Sequence, residues 1–206
     1  SSSGVDRITN RYFASNGKLW AQSWLLDERF NSVYPNNAAS MVRNIDGGKK
    51  AWMNYVSVAN FPSGHLPTTV TKVSCKNIGN LDVIEENGEF MIYMMADFSE
   101  IINGIGKQRG MIVKKEWNSS LLELDKGQVV SNSSNLTNER YPGYEVVAFS
   151  EDQLFGIFFS SRSKLMEIYY GGMNSALTLN HSITNISYYE VVKGKNEFFL
   201  IYVVGS

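Results

Sequence analysis

Strand-like runs of hydrophobic residues recur every 10–15 residues along this chain, and turn-forming residues separate nearly all of them. The pattern is clearest at the C-terminal end. Tyr188–Val192 is rich in β-branched and aromatic residues, Lys193-Gly194-Lys195-Asn196 is a turn, and Phe198–Val204 is seven apolar residues in succession. A run that short, bounded by a turn, predicts a strand buried on both faces and wrapped by other β layers. At about 1.5–3 kcal/mol for each large buried side chain, Phe198–Val204 is expected to be central and the densest part of the core.

The rest of the chain follows the same rhythm. Asn16-Gly17 joins Arg11–Ser15 to Lys18–Trp24, a hairpin dipeptide in which both residues accept positive φ. Trp20–Phe30 also admits one or two turns of helix. Met41–Ile45 and Ala51–Ala59 form a second hairpin around Asp46-Gly47-Gly48-Lys49, and Thr68–Cys75 alternates as a half-exposed strand. Leu81–Glu85 and Glu89–Met95 form a third through Asn87-Gly88. Asp97–Gly110 is punctuated by glycine and predicts a loop with a short helical turn at Asp97–Ile102. Met111–Trp117 and Leu121–Leu124 follow, then the long polar stretch Lys126–Gly143, expected to be a functional or mobile loop. Tyr144–Phe149 with Leu154–Ser160, and Arg162–Tyr170 with Met173–Leu179, complete the hairpins before the last. No repeat of fixed period and no long helical period appears. The fold class expected is all-β, an antiparallel sandwich or barrel-like architecture with at most short helical turns, as one domain over residues 5–204. Residues 1–4 and 205–206 are expected to be flexible or vector-derived ends, which fits a domain cut from a longer chain.

Composition narrows the function. The formal net charge is −1, charged residues make up 19%, and the lysines form only doublets, so no basic stripe suggests nucleic acid as a partner. A lone cysteine, Cys75, excludes an internal disulfide and is expected to be a small buried hydrophobe. No apolar run reaches the roughly 18 residues of a transmembrane helix, so neither a leader segment nor membrane insertion is expected.

Catalytic chemistry finds no foothold. The two histidines, His65 and His181, are far apart, and each falls in a turn region, so neither a metal site nor a Ser/His/Asp triad is expected. Asn103–Gly110 lacks the spacing and the Ser/Thr of a phosphate loop. Glu85, Glu89, Glu116, Glu145 and Glu190 lie in or near strands and read as solvent-facing carboxylates. No cofactor is implied. Five glycosylation sequons, at Asn118, Asn132, Asn135, Asn180 and Asn185, are no signal in a chain so rich in Asn and Ser.

What remains is a β scaffold with loops rich in Tyr, Asn, Ser and Gly, the residue types that give large contact area and adaptable hydrogen bonds. Tyr141 and Tyr144 in Tyr141-Pro142-Gly143-Tyr144, and Tyr169, Tyr170, Asn174 and Ser175 in Tyr169–Ser175, are the candidate binding residues.

An all-β domain of this size, with almost no cysteine, no catalytic motif, Asn/Ser-rich loops and the close Tyr188–Val192…Glu197–Tyr202, resembles the spike domain of an astrovirus capsid, of the avian kind. The resemblance implies a homodimeric spike on the virion surface, attaching the virus to a glycan or protein receptor of the host cell and exposed to antibodies. Two other readings stay open. One is a phage-tail or bacterial adhesin-type glycan-binding module, at a cell surface or secreted. The other is a glycan-active hydrolase with an unrecognised carboxylate pair.

Overall fold

The computed structural model describes residues 5–27, 40–45, 50–53, 70–102, 105–117, 128–132, 143–172 and 175–205. Among these, 78% lie in strands and none in a helix, so the all-β fold class holds. Every pairing between the described strands is antiparallel. The first sheet is β1 (Val5–Ser15), β2 (Lys18–Asp27), β3 (Ser40–Asn44) and β4 (Lys50–Met53), in that order. The second is built from β5 (Val70–Ile78), β6 (Asp82–Glu86), β7 (Glu89–Ile102), β8 (Ile105–Glu116) and β9 (Gln128–Asn132), ordered β5-β7-β8-β9 with β6 beside β7. The third is β10 (Gly143–Ser150), β11 (Gln153–Ser160), β12 (Leu165–Gly172) and β13 (Ser175–Ile183), in chain order. A two-stranded sheet, β14 (Ile186–Lys193) and β15 (Phe198–Val204), closes the described chain.

Turn chemistry sets the hairpins. Asn16 and Gly17 have φ of 54° and 67°, and Asn87 and Gly88 have φ of 53° and 79°. These positive values at both central positions match the right-handed twist of the flanking strands.

The third sheet is the middle layer. One face, with Tyr144, Val146, Ala148, Leu154 and Phe158, packs against Ile84, Tyr93 and Ile112 of the second sheet. The other face, with Val147, Ile157, Met166 and Ile168, takes the closing hairpin through Ile186, Tyr189, Val191, Phe198 and Leu200. The first sheet is anchored by the buried Trp20, whose ring packs edge-on to Phe90 at 5.1 Å and lies 5.6 Å from Trp117.

Several sequence expectations are corrected. Phe198–Val204 is a strand but not the central one. Only Phe198 and Leu200 pack inward, while Phe199, Ile201 and Val203 are 58%, 56% and 53% exposed. The run is apolar on both faces, yet among the described residues the hairpin has a layer on one side only. Apolarity of a strand says that both faces favour cover; it does not say what covers them. Within Asp97–Gly110, residues 97–102 and 105–110 are neither loop nor helical turn but the paired ends of β7 and β8, with Gly106 opposite Ile101 and Gly110 opposite Asp97, while Asn103 and Gly104 lie outside the described residues. The polar stretch Lys126–Gly143 contains β9, paired with β8, and β2 continues as strand to Asp27 where a helical turn was the alternative. His181 stands exposed within β13 and not in a turn. Leu121–Leu124 and His65 lie outside the described residues, as do the side chains of Thr68–Cys75.

The inward and outward faces of β15 predict opposite mutational costs. Leu200→Ala should lose about 1–3 kcal/mol of unfolding free energy for a half-buried site. Ile201→Ala, one residue on, should stay within about 0.5 kcal/mol. Denaturant titration of both variants checks this, and equal losses would show that the outward face is covered.

Candidate functional site

Among the described residues, a cluster of buried charge lies where strands of all four sheets meet. It is built on the extended segment 79–83, which runs from the end of β5 into the start of β6. Asn80 bridges β10 in parallel, donating its N–H to the Tyr144 carbonyl at 2.8 Å and accepting from the Val146 N–H at 3.0 Å. Gly79 is required here because a Cβ would be driven into the Tyr144 backbone oxygen. Gln22 of β2 reads the same segment from the other side, its Nε2 donating to the Gly79 carbonyl at 2.9 Å and its Oε1 accepting from the Leu81 N–H at 3.0 Å.

Four charged side chains converge on this segment, two of each sign. Asp82 is buried; its Oδ2 accepts from the Ala148 N–H at 2.9 Å and from Lys193 Nζ of β14 at 2.8 Å, and its Oδ1 accepts from the Val83 N–H at 2.9 Å. Lys193 also donates to Ser15 Oγ at 2.9 Å, and Ser15 in turn donates to the Val83 carbonyl at 2.8 Å. Arg11 of β1 donates to the Leu81 carbonyl at 3.3 Å and to Gln22 Oε1 at 3.2 Å, with its guanidinium 4.2 Å above the Phe13 ring. Glu145 of β10 is buried beside Arg11 and hydrogen-bonded to Asn80 and Tyr189.

Burial dominates the electrostatics. It raises the Glu145 carboxyl above the usual carboxylate range, although Arg11, Asn80 and Tyr189 pull the other way. It lowers Arg11, partly offset by Glu145 and Asp82, and it raises the Tyr189 phenol, aided by Glu145. Asp82 is thus held by Lys193 and two amides, Glu145 is held by Asn80 and Tyr189 near the Arg11 guanidinium, and the cluster is charge-balanced. Its first chemical consequence is a clasp: β1, β10 and β14, from three different sheets, are tied to one segment.

Around the clasp are two connected hollows. A cavity of about 230 Å³ lies between β1 and β14, with Leu81, Asp82, Glu145 and Val147 among its floor residues. A wider one of about 690 Å³ continues past the Asn16-Gly17 turn to Phe149 and Lys195, sharing Ala14 and Lys193 with the first. Among the described residues, no group of three or more His, Cys, Asp and Glu is placed to hold a metal ion. No helix of the described residues is long and apolar enough to cross a membrane.

The candidate binding tyrosines are scattered, not gathered. Tyr144 is only 2% exposed and packs on Phe158 with ring centroids 5.7 Å apart, so it is a core residue and not a loop contact. A β-strand residue directly after Gly143 points to the face its register dictates, and that face is the inter-sheet core. Tyr169 and Tyr170 lie in β12, not in a loop. Tyr169 donates to Glu167 Oε2 at 3.0 Å, and burial together with that bond pushes its phenol up to about 12. Tyr170 remains exposed beside Phe155, at 4.9 Å between ring centroids, and Ser175 is exposed with its Oγ accepting from the Gly172 N–H at 2.9 Å. Tyr141 and Asn174 lie outside the described residues. Of the strand carboxylates expected to face solvent, Glu85, Glu89 and Glu190 are exposed, while Glu145 is buried. The Glu116 side chain lies outside the described residues.

Sequence reading missed Arg11, Asp82 and Lys193 as partners. A usable sign was present: single charges inside apolar runs, as in Leu81-Asp82-Val83-Ile84 and Tyr144-Glu145-Val146-Val147. A charge in such a setting is paired or very costly.

Asp82→Ala should therefore cost about 3–5 kcal/mol, because it strands a buried lysine and two amides. Lys193→Met, which leaves Asp82 its two amide donors, should cost distinctly less. Chemical denaturation of the pair tests the ordering. For Glu145 the linkage has a definite sign. Its folded value lies above its unfolded one, so the folded state holds the proton more tightly. Stability is gained as pH falls through the folded value and the gain is complete below the unfolded value. The wild type should accordingly gain on Glu145→Gln as pH is lowered from neutral toward 5, measured by paired thermal melts. A difference independent of pH would show that Glu145 keeps an ordinary carboxyl.

Nothing matches this chain among family models, curated proteins or solved structures.

Proposed function

We propose that the domain is a non-enzymatic attachment module, a capsid surface spike that acts as a homodimer, engages a host-cell receptor and is exposed to antibodies. The observation that carries this reading is the outward face of the closing hairpin. Tyr188 stands opposite Val203 and Val192 opposite Phe199, and these side chains with Ile201 are all exposed. Glu190 is the single charge on that face. A contiguous apolar patch of this kind on a lone domain marks an interaction surface. A two-stranded sheet presenting one flat apolar face suits isologous contact with its own copy about a two-fold axis.

Receptor contact then falls to surface away from that face. Of the singled-out tyrosines among the described residues, Tyr170 is the exposed one, and it stands opposite the exposed Thr178. Individual contacts of such a patch are weak, and many copies on one particle multiply them. The glycan-hydrolase alternative requires a carboxylate pair free to act across a cleft. Of the carboxylates brought together among the described residues, Asp82 is committed to Lys193 and two amides, Glu145 is hydrogen-bonded to Asn80 and Tyr189, and Glu86 and Glu151 share Lys114.

Light scattering across concentration should show a dimer at tens of micromolar that Phe199→Glu with Ile201→Lys converts to a folded monomer. The soluble wild-type domain should compete with particles for cell attachment, and Tyr170→Ala should weaken that competition. A strict wild-type monomer would remove the dimer, and undiminished attachment under excess soluble domain would remove the receptor role.

A further inference from the structure

Strands β1 and β14 lie side by side over one floor without pairing. At one end Lys193 Nζ donates to Ser15 Oγ at 2.9 Å; at the other, Arg11 and Tyr189 meet across the Glu145 carboxylate. Residues 11–15 and 189–193 therefore run in the same direction over equal lengths. Their alternation also matches: Arg11, Phe13 and Ser15 face the floor, as do Tyr189, Val191 and Lys193, while Tyr12, Ala14, Glu190 and Val192 face out. Yet β1 is the end strand of its sheet and β14 an end strand of its own, and among the described residues no backbone hydrogen bond joins them. The cavity of about 230 Å³ lies between, and the hollow of about 690 Å³ extends it lengthwise past Lys193.

We propose that this slot is a strand acceptor: an extended, uncharged polypeptide segment of a partner protein inserts between β1 and β14 and joins two sheets of the domain into one layer. Each end strand presents backbone N–H and C=O groups along its free edge. Because the two edges run in the same direction, one inserted strand is antiparallel to both and makes a ladder on each side. The occupant's chemistry follows from the lining. The floor charges cancel, Arg11 against Glu145 and Lys193 against Asp82, so no net charge recruits a cation or an anion. The small volume of about 230 Å³ favours small inward-facing side chains, while Tyr12 and Val192 stand at the rims for outward ones. The length of the connected hollows favours an extended chain over a compact ligand. This inference does not depend on the attachment reading: it rests on the free edges of β1 and β14, although Glu190 and Val192 of β14 also belong to the outer face of the closing hairpin.

The test is selection of a phage-displayed library of random 12-residue peptides on the intact domain, followed by amide hydrogen exchange with the selected peptides. Selected peptides should protect backbone amides within residues 11–15 and 189–193. N-methylation at alternate peptide positions should weaken binding by about tenfold or more, since the ladders are main-chain bonds. Ala14→Trp, crowding one wall from an exposed position, should weaken it similarly at an unchanged melting temperature. If that variant does not fold, the N-methylated peptides still decide the question on the wild type. Failure to select any peptide, protection elsewhere, or indifference to N-methylation would overturn the proposal. So would protection of the same amides by a panel of neutral linear oligosaccharides in place of peptides.

Discussion

One carboxylate stands at the point where the layers meet. Asp82 accepts from Lys193, Ala148 and Val83, and so joins β14, β10 and its own strand in a single buried group. Removing a charge from water is costly, and it is tolerated only where geometry and extra donors compensate. Here three donors do so, and the second pair, Arg11 with Glu145, sits alongside on the same segment. The energetic weight of such a cluster lies less in net stabilisation than in specificity. Any sheet arrangement that separates these strands strands a charge in the interior.

The apolar cores are arranged to make that clasp possible. The middle sheet is covered on both faces, by the second sheet on one and by the closing hairpin on the other. Glu145 and Val147 point to one face of β10 while Tyr144, Val146 and Ala148 point to the other, so a strand period of two places a charge and a core residue on adjacent positions. Trp20, Phe90 and Trp117 anchor the first sheet to the second beside the clasp. A smaller polar tie repeats the theme at the far edge, where Lys114 reaches both Glu86 at 2.8 Å and Glu151 at 3.0 Å. Burial disfavours the charge on Lys114, but its two carboxylate partners outweigh that and raise it above its usual range.

Function, on this account, belongs to surfaces that the cores leave over. The closing hairpin uses one face to cover the middle sheet and leaves the other apolar and open. The slot beside it arises because the first and last sheets of the chain lie over the same floor without meeting. Both features result from where the layers end, and neither involves an unusual residue.

Much of the fold was legible in the residues. Asn16-Gly17 and Asn87-Gly88 announced tight hairpins, because positive φ at two successive positions is a local requirement that few residues meet. The β-branched and aromatic runs announced strands, and the absence of helical periods announced an all-β class. Glycine-punctuated β7 and β8 were illegible as strands, because glycine signals a loop locally while a long cross-strand register overrules it. Local sequence was equally silent on rank and on partners. Nothing in Phe198–Val204 distinguishes a strand buried on both faces from one with a single covering layer, since burial depends on elements far away in the chain. Nor could Arg11, Asp82, Glu145 and Lys193 be grouped from their spacing, which spans most of the chain. Sequence by itself determined that strands form, where they turn and that few charges can be buried. Only the tertiary structure decided which face met which layer and which of those charges met one another, because those outcomes rest on contacts between distant segments that no local propensity encodes.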